Sequence, residues 1–143
     1  MAKVIVEVVK GQEDLEKAFA IRVEVFVNEQ GVPLDIEVDE YDEIAEHVLV
    51  YYDNKPVGAA RWRMVDNMAK LERICVLAAY RQYGLGKAIV TSLEEAVKKQ
   101  GLTKAKLHGQ VQAADFYKKL GYKQMSDEFM EDGIEHILFV KEL

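Results

Sequence analysis

The segment VLAAYRQYGLGKAIVTSLEEAVKKQG, residues 76–101, decides the fold that we predict. It passes from the end of an apolar strand through two closely spaced glycines, Gly84 and Gly86, into apolar residues at helical spacing. A strand that leads through a glycine turn into a helix directs unpaired backbone N–H groups and the positive end of the helix towards one point. Glycines also allow the backbone to approach phosphate oxygens closely. The segment therefore predicts a phosphate-binding turn, although a plain strand-to-helix turn fits the same pattern.

Two common nucleotide-binding motifs do not fit this turn. A P-loop requires a glycine five residues before Gly86, where Arg81 stands. It also requires a serine or threonine directly after the lysine, where Ala88 stands. A dinucleotide-binding turn requires glycine or alanine three residues after Gly86, and that residue is Ile89. We therefore expect a phosphate compound other than a dinucleotide or a transferred γ-phosphate.

The composition of the 143-residue chain is that of a single globular domain, residues 1–143. Half of the residues are hydrophobic and 31% are charged, which is enough for a core of its own. The net charge of -6 argues against a nucleic-acid partner. No stretch approaches the roughly 18 apolar residues that span a bilayer, and we do not expect residues 1–14 to act as a secretory signal because Glu7 interrupts their short apolar stretch. One cysteine and no CxxC pattern predict no internal disulfide and no metal site. Together with the lack of a membrane-spanning stretch, this composition leads us to expect a cytoplasmic protein without a membrane partner.

The hydrophobic pattern predicts an α/β fold with the order β-α-β-β-β-α-β-α-β and helices on the faces of a mixed sheet. Gly31 and Pro33 end the first helix, and Gly101 and Gly121 end the two later ones. We predict strands at 3–9, 47–52, 57–64, 70–77 and 104–108, a final strand or hairpin ending at 143, and helices beginning near 12, 84 and 112.

The glycine turn matches the pattern [RQ]-x-x-G-x-[GA], read as Arg81-Gln82-Tyr83-Gly84-Leu85-Gly86. This pattern resembles the acetyl-CoA pyrophosphate loop of the GNAT superfamily of N-acetyltransferases. A second segment, GQVQAADFYKKLGY at residues 109–122, is similar to the family's closing pattern N-x-x-A-x-x-F-Y-x-K-x-G-F, with Gln110 for Asn and Tyr122 for Phe. The resemblance covers nearly the whole chain, and the N-terminal half is similar to a small bacterial subgroup of predicted acetyltransferases. It implies the GNAT fold, a twisted mixed sheet of about six to seven strands flanked by about three to four helices.

The resemblance implies that acetyl-CoA is the acyl donor. The backbone of residues 74–76 would pair with the pantetheine arm and polarise the thioester carbonyl. Backbone N–H groups of residues 82–87 would hold the pyrophosphate, with added charge from Arg81 and Lys87, for which a solvated surface position is the alternative. The implied donor-binding residues are Ile74, Cys75, Val76, Arg81, Gln82, Tyr83, Gly84, Leu85, Gly86, Lys87, Gln110, Ala113 and Phe116.

Tyr117 is the candidate general acid, because a phenol with a reference pKa near 10 can donate a proton to a departing thiolate. An aromatic core residue is the alternative for Tyr117. Glu72 is the candidate general base, since it lies two residues before Ile74 and therefore on the same face of the strand. A structural ion pair explains Glu72 equally well, and the arginines in question are Arg61, Arg63 and Arg73.

Four other side chains are candidates for catalysis. The three histidines, His47, His108 and His136, lie in or beside predicted strands, where a structural role is the commoner one. They share no short spacing that would support a metal site. Cys75 offers a two-step route through an acetylated thiol, but it has no neighbouring base in the sequence, which favours an inert buried cysteine.

Residues 35–46 carry seven carboxylates and no basic residue. Such a segment can attract a cationic acceptor, which arrives as an ammonium and loses a proton before it attacks. Simple solvation, or pairing with arginines of the neighbouring strand, is the alternative. The predicted acceptor is a small-molecule amine or a basic peptide, and the predicted acceptor-binding residues are Phe26, Glu29, Gln30, Arg61 and His136.

Direct N-acetyl transfer is the function that the sequence predicts. A non-catalytic module of the same fold that binds or senses CoA is the alternative, because Gln110 replaces Asn and no base is unambiguous. The pattern VF…E…DEYD also faintly resembles the autoinducer synthases, which share the fold and acylate an amine. Members of the GNAT family often dimerise through exposed strands, so the resemblance is also compatible with a homodimer.

Overall fold

The structure is a computed structural model that describes residues 2–143. Eight strands form one mixed sheet in the order β1-β2-β3-β4-β5-β8-β6, and β7 pairs with β8 beside this path. Strands β4 and β5 run parallel, whereas the other neighbours pair antiparallel. The strands are β1 Val4–Val8, β2 Glu46–Tyr52, β3 Lys55–Val65, β4 Met68–Val76, β5 Lys104–Gln110, β6 Lys123–Gln124, β7 Phe129–Glu131 and β8 Ile134–Glu142.

Four α-helices and one π-helical segment connect these strands. The first helix changes to π-helical geometry after Arg22, and this segment ends at Glu29. Short 3₁₀ turns cover Glu40–Glu43, Ala78–Tyr83 and Val111–Ala113. The helices are α1 Gly11–Arg22, α2 Leu34–Glu37, α3 Leu85–Lys99 and α4 Ala114–Lys119, and the π-helical segment is Val23–Glu29. No helix within residues 2–143 is long and apolar enough to cross a membrane.

The predicted α/β architecture is confirmed, and the predicted elements follow one another in the predicted order, with the short helix α2 added where a loop was expected. The sheet has more strands than expected, because the C-terminal region contributes the short strands β6 and β7 before β8. The hairpin between β2 and β3 turns at Asp53 and Asn54, whose φ angles of 48° and 70° are left-handed. A two-residue turn with two left-handed residues matches the twist of antiparallel strands, which is why this short polar pair makes the connection.

Helices cover both faces of the sheet, and strand alternation sorts the apolar residues between them. On one face, Leu85, Ile89 and Leu93 of α3 pack in a core cluster that also includes Leu71 and Leu107. On the other face, α1 supplies Ala18 and Ile21 to a smaller cluster with Leu49, Ala59 and Cys75. Successive residues of the central strands therefore point alternately towards α3 and towards α1.

A bulge in β4 opens the middle of the sheet. Arg61 pairs with Glu72, and Ala59 pairs with Cys75, so one residue of β3 lies opposite two residues of β4. The extra residue is accommodated by Arg73, whose φ of 59° is left-handed and unfavourable for a residue with a side chain. Strands β4 and β5 pair only from Ala69 to Leu71 on the β4 side. Beyond Leu71 they separate, and the functional site lies in this opening.

Candidate active site

A cavity of about 510 Å³ lies where β4 and β5 separate. Residues from both strands, from the turn before α3, from α4 and from the π-helical segment line it. The structure thus brings together most of the residues that the sequence singled out. Those that line the cavity are Phe26, Gln30, Glu72, Ile74, Cys75, Val76, Arg81, Gly84, Gly86, Lys87, Gln110, Ala113, Phe116, Tyr117 and His136. Glu29, Arg61, Gln82, Tyr83 and Leu85 are outside this lining.

The start of α3 forms one wall of the cavity and is suited to an anion. Gly84 precedes the helix with a left-handed φ of 71°, and no side chain of the described residues caps the first turn. A Cβ on Gly84 would meet nothing within 4 Å, so the space above the turn is open. The first turn also carries no acidic side chain. Free N–H groups at the positive end of a 15-residue helix fit a pyrophosphate.

Gly86 is required for packing. A Cβ on Gly86 would lie 3.1 Å from Cζ of Phe116, closer than an ordinary van der Waals contact. The second glycine of the turn therefore lets the ring of Phe116 on α4 pack directly against the first turn of α3. Leu85, between the two glycines, is buried in the core, so only its backbone is available to a ligand.

Residues that are predicted to bind acetyl-CoA contact residues that are predicted to bind the amine acceptor. Glu29 accepts hydrogen bonds from Arg81 with Nη1–Oε2 and Nη2–Oε1 distances of 2.6 and 2.7 Å. Nε of Arg81 also donates to the carbonyl oxygen of Val76 at 3.0 Å. Gln110 donates from Nε2 to Oε1 of Gln30 at 2.9 Å. The end of the π-helical segment is thus tied both to the glycine turn and to the end of β5.

Glu72 is surrounded by cations. Its Oε1 atom accepts hydrogen bonds from Nε of Arg63 at 2.8 Å and from Nε of Arg61 at 3.1 Å, and Nζ of Lys70 lies 3.1 Å from Oε2. Burial alone would raise the pKa of Glu72, but the hydrogen bond from Arg63 and the charges of Arg61 and Lys70 outweigh it and lower the pKa to about 2. A carboxylate of that acidity is a weak base at neutral pH. These contacts favour the ion-pair alternative.

Arg61 requires a correction. It was expected to bind the acceptor, but its side chain is only 1% exposed and does not line the cavity. Its guanidinium contacts Asp39 at 2.7 Å, Asp42 at 2.6 Å and Glu72 at 3.1 Å. Three carboxylates occupy its donors, so Arg61 joins the acidic segment to the sheet and leaves no donor for a substrate.

The acidic segment 35–46 turns several carboxylates inward. Glu37 contacts Nε of the fully buried Arg22 at 2.9 Å and Nε of Arg73 at 3.2 Å, while Asp42 contacts Arg22 at 2.7 Å. Asp39 reaches Arg61 and Arg73. At these three positions, pairing with arginines explains the carboxylates better than attraction of a cationic acceptor does. The Oε2 atom of Glu37 remains without a hydrogen-bond partner in the described chain, and Glu37 lines the cavity.

Tyr117 lies between the core and the cavity. Its side chain is largely buried, and burial raises the pKa of its phenol to about 12, so it keeps its proton at neutral pH. Its ring packs on Gly109, where a Cβ would come within 2.9 Å of the ring carbons. The absence of a side chain at residue 109 therefore positions Tyr117 against β5.

Cys75 is buried on the α1 face. Its Sγ atom lies 3.7 Å from the carbonyl oxygen of Ala59, to which the thiol donates. Burial raises the pKa of the thiol to about 12. Since the thiolate is the nucleophilic form, these surroundings favour the inert alternative for Cys75.

A polar cluster in the cavity lining combines His136, which the sequence predicts to bind the acceptor, with His108 and Glu131, which the sequence did not assign to the site. His108 contacts Glu131 with a 2.8 Å distance between Nδ1 and Oε1, and Nε2 of His136 lies 3.9 Å from Oε2 of Glu131. His136 also donates from Nδ1 to the carbonyl oxygen of Ile134 at 2.7 Å. The Asp-Gly turn after Glu131 signals a hairpin, but a single sequence does not reveal that this hairpin carries Glu131 to β5. Residues 2–143 contain no group of three or more His, Cys, Asp or Glu side chains arranged to hold a metal ion.

The chain is similar to known acetyltransferases over nearly its whole length. The family described as "Acetyltransferase (GNAT) domain" matches residues 11–143, so the chain belongs to the GNAT family. This finding confirms the family that the glycine turn and the segment 109–122 indicated.

Three known proteins illustrate the similarity. A Bacillus subtilis (strain 168) protein that is provisionally named an acetyltransferase is 53% identical over 140 residues, covering 96% of this chain and 95% of its own. A crystal structure from Lactobacillus plantarum, provisionally named an N-acetyltransferase, is 30% identical with a TM-score of 0.88, covering 99% of this chain and 98% of that chain. A Bacillus subtilis acetyltransferase in complex with CoA shares the fold at 16% identity and a TM-score of 0.76, covering 99% of both chains.

Proposed function

We propose that this GNAT acetyltransferase moves the acetyl group of acetyl-CoA to a primary amine of a small molecule or a basic peptide by direct attack. The observation that carries the proposal is the cavity between β4 and β5, which joins an open helix N-terminus to a set of titratable side chains. An anion site beside a polar cluster is what a phosphate-containing acyl donor and an amine acceptor require of one cavity.

The donor end is built from α3 and β4. Backbone N–H groups at the start of α3 would hold the pyrophosphate, with Arg81 and Lys87 adding positive charge at the cavity wall. The backbone of residues 74–76 lies beyond the last pair of β4 and β5, so the edge that faces β5 would be where an extended arm pairs with it. When bound, acetyl-CoA supplies a thioester, whose carbonyl carbon is open to attack by a nitrogen lone pair. The related fold of the Bacillus subtilis acetyltransferase in complex with CoA supports this assignment.

Direct attack fits the cavity better than a two-step route. The raised pKa of Cys75 keeps its sulfur protonated, so the chain lacks an activated thiol at this strand. Tyr117 would protonate the departing thiolate, since its buried phenol retains its proton and lines the cavity. Desolvation raises the pKa of a thiol in a buried site as well. The pKa values of the Tyr117 phenol and of the departing thiol are therefore closer to each other in the cavity than in water.

An amine acceptor is supported by the carboxylates of the cavity. Glu37 has an unpartnered oxygen, and an ammonium or a neutral amine donor would satisfy it. Glu72, Glu131 and Asp132 are further carboxylates in the lining. A cationic acceptor is also attracted by the net charge of -6. The name of the Lactobacillus plantarum relative, an N-acetyltransferase, agrees with an amine acceptor.

Two measurements test this function. Calorimetry with acetyl-CoA and with CoA measures donor binding, and a thiol-release assay measures turnover over a panel that includes spermidine, tyramine, glucosamine and a lysine-rich peptide. We expect saturable donor binding and CoA release with at least one amine. Binding without release on any amine would instead support the alternative of a non-catalytic CoA-binding module.

A matched pair of glycine variants tests the donor site itself. Gly84 and Gly101 lie before and after α3, both have left-handed φ angles, and both have open space at the Cβ position. Gly84→Asp adds a side chain and a negative charge where the pyrophosphate would bind, so we expect acetyl-CoA affinity to fall at least tenfold. Gly101→Asp carries a similar backbone strain without touching this site, and its affinity should remain that of the wild type. Equal affinities for the two variants would refute the assignment of the glycine turn.

A further inference from the structure

His108 and Glu131 form a close side-chain pair in the cavity. Nδ1 of His108 lies 2.8 Å from Oε1 of Glu131, although the two residues are 23 positions apart. The ring of His108 also packs edge-on against Phe129, with 5.1 Å between ring centroids. Phe129 and Glu131 both belong to β7, so one short strand fixes the position and the orientation of the imidazole.

The pair lies where β4 and β5 separate. Leu71 and Leu107 are the last residues that the two strands pair, and His108 is the next residue of β5. Leu107 belongs to the core cluster on the α3 side, so strand alternation directs His108 to the opposite face. Phe129 pairs with His136, and Glu131 follows two residues later, so the same alternation brings Glu131 to the face of His108.

Tyr117 reaches the same part of β5 from the other face. Its ring packs on Gly109, which directly follows His108, and Tyr117 belongs to the core cluster on the α3 side. The imidazole and the phenol therefore approach the opening in the sheet from opposite sides, and both line the cavity. A base and an acid on opposite sides of an opening suit a reaction in which one group gains a proton as another loses one.

The carboxylate determines which ring nitrogen of His108 carries the proton. The hydrogen bond from His108 lowers the pKa of Glu131, so Glu131 is ionised at neutral pH and can only accept. Nδ1 of His108 must then be the donor, which leaves Nε2 of the neutral ring as an acceptor. Within residues 2–143, Nε2 of His108 has no hydrogen-bond partner, whereas the side chain is 26% exposed and lines the cavity.

We propose that His108 is the general base of the acetyl transfer and that Glu131 is the positioning residue that holds its Nε2 atom ready to accept a proton. This inference rests on the proposed function and adds the base that Glu72, held by three cations, does not supply. The arrangement of a carboxylate that orients an imidazole recurs in enzymes of unrelated folds.

The proton transfers balance as follows. His108 Nε2 takes one proton from the ammonium of the acceptor, and the freed lone pair forms the bond between nitrogen and the carbonyl carbon. The carbon–sulfur bond breaks with its electron pair on sulfur, and the thiolate takes the phenolic proton of Tyr117. The acceptor nitrogen is positively charged once it has bonded to the carbonyl carbon; it gives one of its two remaining protons to the Tyr117 phenolate and becomes the neutral amide nitrogen. His108 then releases its proton to water.

The tautomer of His108 can be measured without any acceptor. Long-range ¹⁵N–¹H spectra distinguish the two ring nitrogens, and we would record them at about pH 8.5, roughly two units above the reference imidazole pKa of about 6.5. We expect His108 with the proton on Nδ1. His47 provides an internal control, because its Nε2 atom donates to the carbonyl oxygen of Asp42 and must show the opposite tautomer. A His108 ring with its proton on Nε2 would overturn the proposal.

Two variants then test the pair. Glu131→Ala should give His108 a mixture of tautomers and lower kcat roughly tenfold, and His108→Gln should lower kcat about a hundredfold, both with unchanged acetyl-CoA affinity. Glu128→Ala removes an exposed carboxylate one residue before β7 and should leave tautomer and turnover unchanged.

The outcomes separate the two proposals. A wild-type protein that turns over an amine, together with a His108→Gln variant of equal kcat, would refute the base while the acetyl transfer stands. A wild-type protein that binds no acetyl-CoA would refute the proposed function, whatever tautomer His108 adopts. A tautomer that is unchanged in Glu131→Ala would refute the positioning role of the carboxylate.

Discussion

Arg81 and Glu29 form a two-point ion pair across 52 residues of sequence. Arg81 belongs to the turn expected to bind pyrophosphate, whereas Glu29 ends the π-helical segment at the expected acceptor entrance. The pair therefore joins the two halves of the site. It also occupies the guanidinium donors that a pyrophosphate would use, because both Nη atoms of Arg81 are committed to Glu29.

Glu29→Gln should strengthen acetyl-CoA binding. The variant removes the charge that competes with pyrophosphate for Arg81, and a partly exposed ion pair is worth about 0.2–1 kcal/mol, or up to about fivefold in affinity. Calorimetric titration with acetyl-CoA at low and high salt measures this change, which salt should reduce. Glu24→Gln, on the same segment and hydrogen-bonded only locally to Asn28, is the control. A weaker affinity in Glu29→Gln than in Glu24→Gln would contradict the competition.

The local features of the site were predictable from sequence. The glycine turn, the helix that follows it and the strand before it depend on residues close to one another in the chain, and spacing and turn chemistry determine such elements. Tyr117 and Phe116 were also predicted from a local pattern, the resemblance of residues 109–122 to the closing pattern of the GNAT family. The structure brings these residues into one cavity, as expected from the order of the elements.

The long-range contacts of the site were not predictable. Glu72 has several arginines within reach along the sequence, and only the packing of β3 against β4 selects Arg61 and Arg63 as its partners. The pairing of Arg61 with Asp42 depends on how the acidic segment folds back over the sheet. His108 and Glu131 meet only because β7 and β5 both lie beside β8. A single sequence carries no signal for such pairs, since any charged residue has many candidate partners.

Asp42→Asn should lower the free energy of unfolding and make it depend less on pH in the acidic range. Asp42 lies between Arg22 and Arg61, and burial opposes its ionisation, but the hydrogen bonds and charges of these arginines lower its pKa from 3.8 to about 2. Removing one member of a buried ion-pair network costs about 3 kcal/mol or more in the free energy of unfolding, because the arginines lose their counter-charge. Urea unfolding followed by circular dichroism measures the loss.

The direction of the pH effect follows from the lowered pKa values. Asp42 and Glu72 both ionise more readily in the folded state, so their contribution to stability is complete above their unfolded pKa values of 3.8 and 4.5. It is lost as the pH falls towards about 2, where the folded carboxylates take up protons. Asp42→Asn should show a shallower loss over this range than the wild type. Glu43→Gln changes an exposed carboxylate of the same turn, and a loss equal to that of Asp42→Asn would disprove the network argument.

Cys75→Ala should retain turnover. The thiol is buried, its pKa is raised to about 12, and its hydrogen bond to Ala59 is long at 3.7 Å, so it contributes packing rather than chemistry. We expect a stability loss of about 1 kcal/mol and an unchanged kcat on any amine that the wild type acetylates. Because Cys75 is the single cysteine, a thiol reagent added to the native protein reports on it alone and should react only as the protein unfolds. A Cys75→Ala variant that binds acetyl-CoA but shows no turnover would support the two-step route instead.

Tyr117→Phe should lower kcat without weakening the fold. The phenol of Tyr117 retains its proton because burial raises its pKa, and it lines the cavity, so its removal leaves the departing thiolate without this donor. General acids of this kind contribute about a hundredfold to rate. Calorimetry should give the wild-type affinity for acetyl-CoA, since the ring that packs on Gly109 is kept.

Tyr122→Phe is the matched control for Tyr117→Phe. Tyr122 is a buried tyrosine next to Tyr117, with 6.2 Å between ring centroids, but its hydroxyl donates to Oε2 of Glu94 at 2.7 Å and lies outside the cavity lining. Its loss should cost about 1–2 kcal/mol of unfolding free energy and leave kcat unchanged. The two variants thus separate the consequences of removing a buried phenol from those of removing a proton donor. If both lowered kcat equally, or if Tyr117→Phe kept the wild-type kcat, Tyr117 would be a core residue and the thiolate would take its proton from another group.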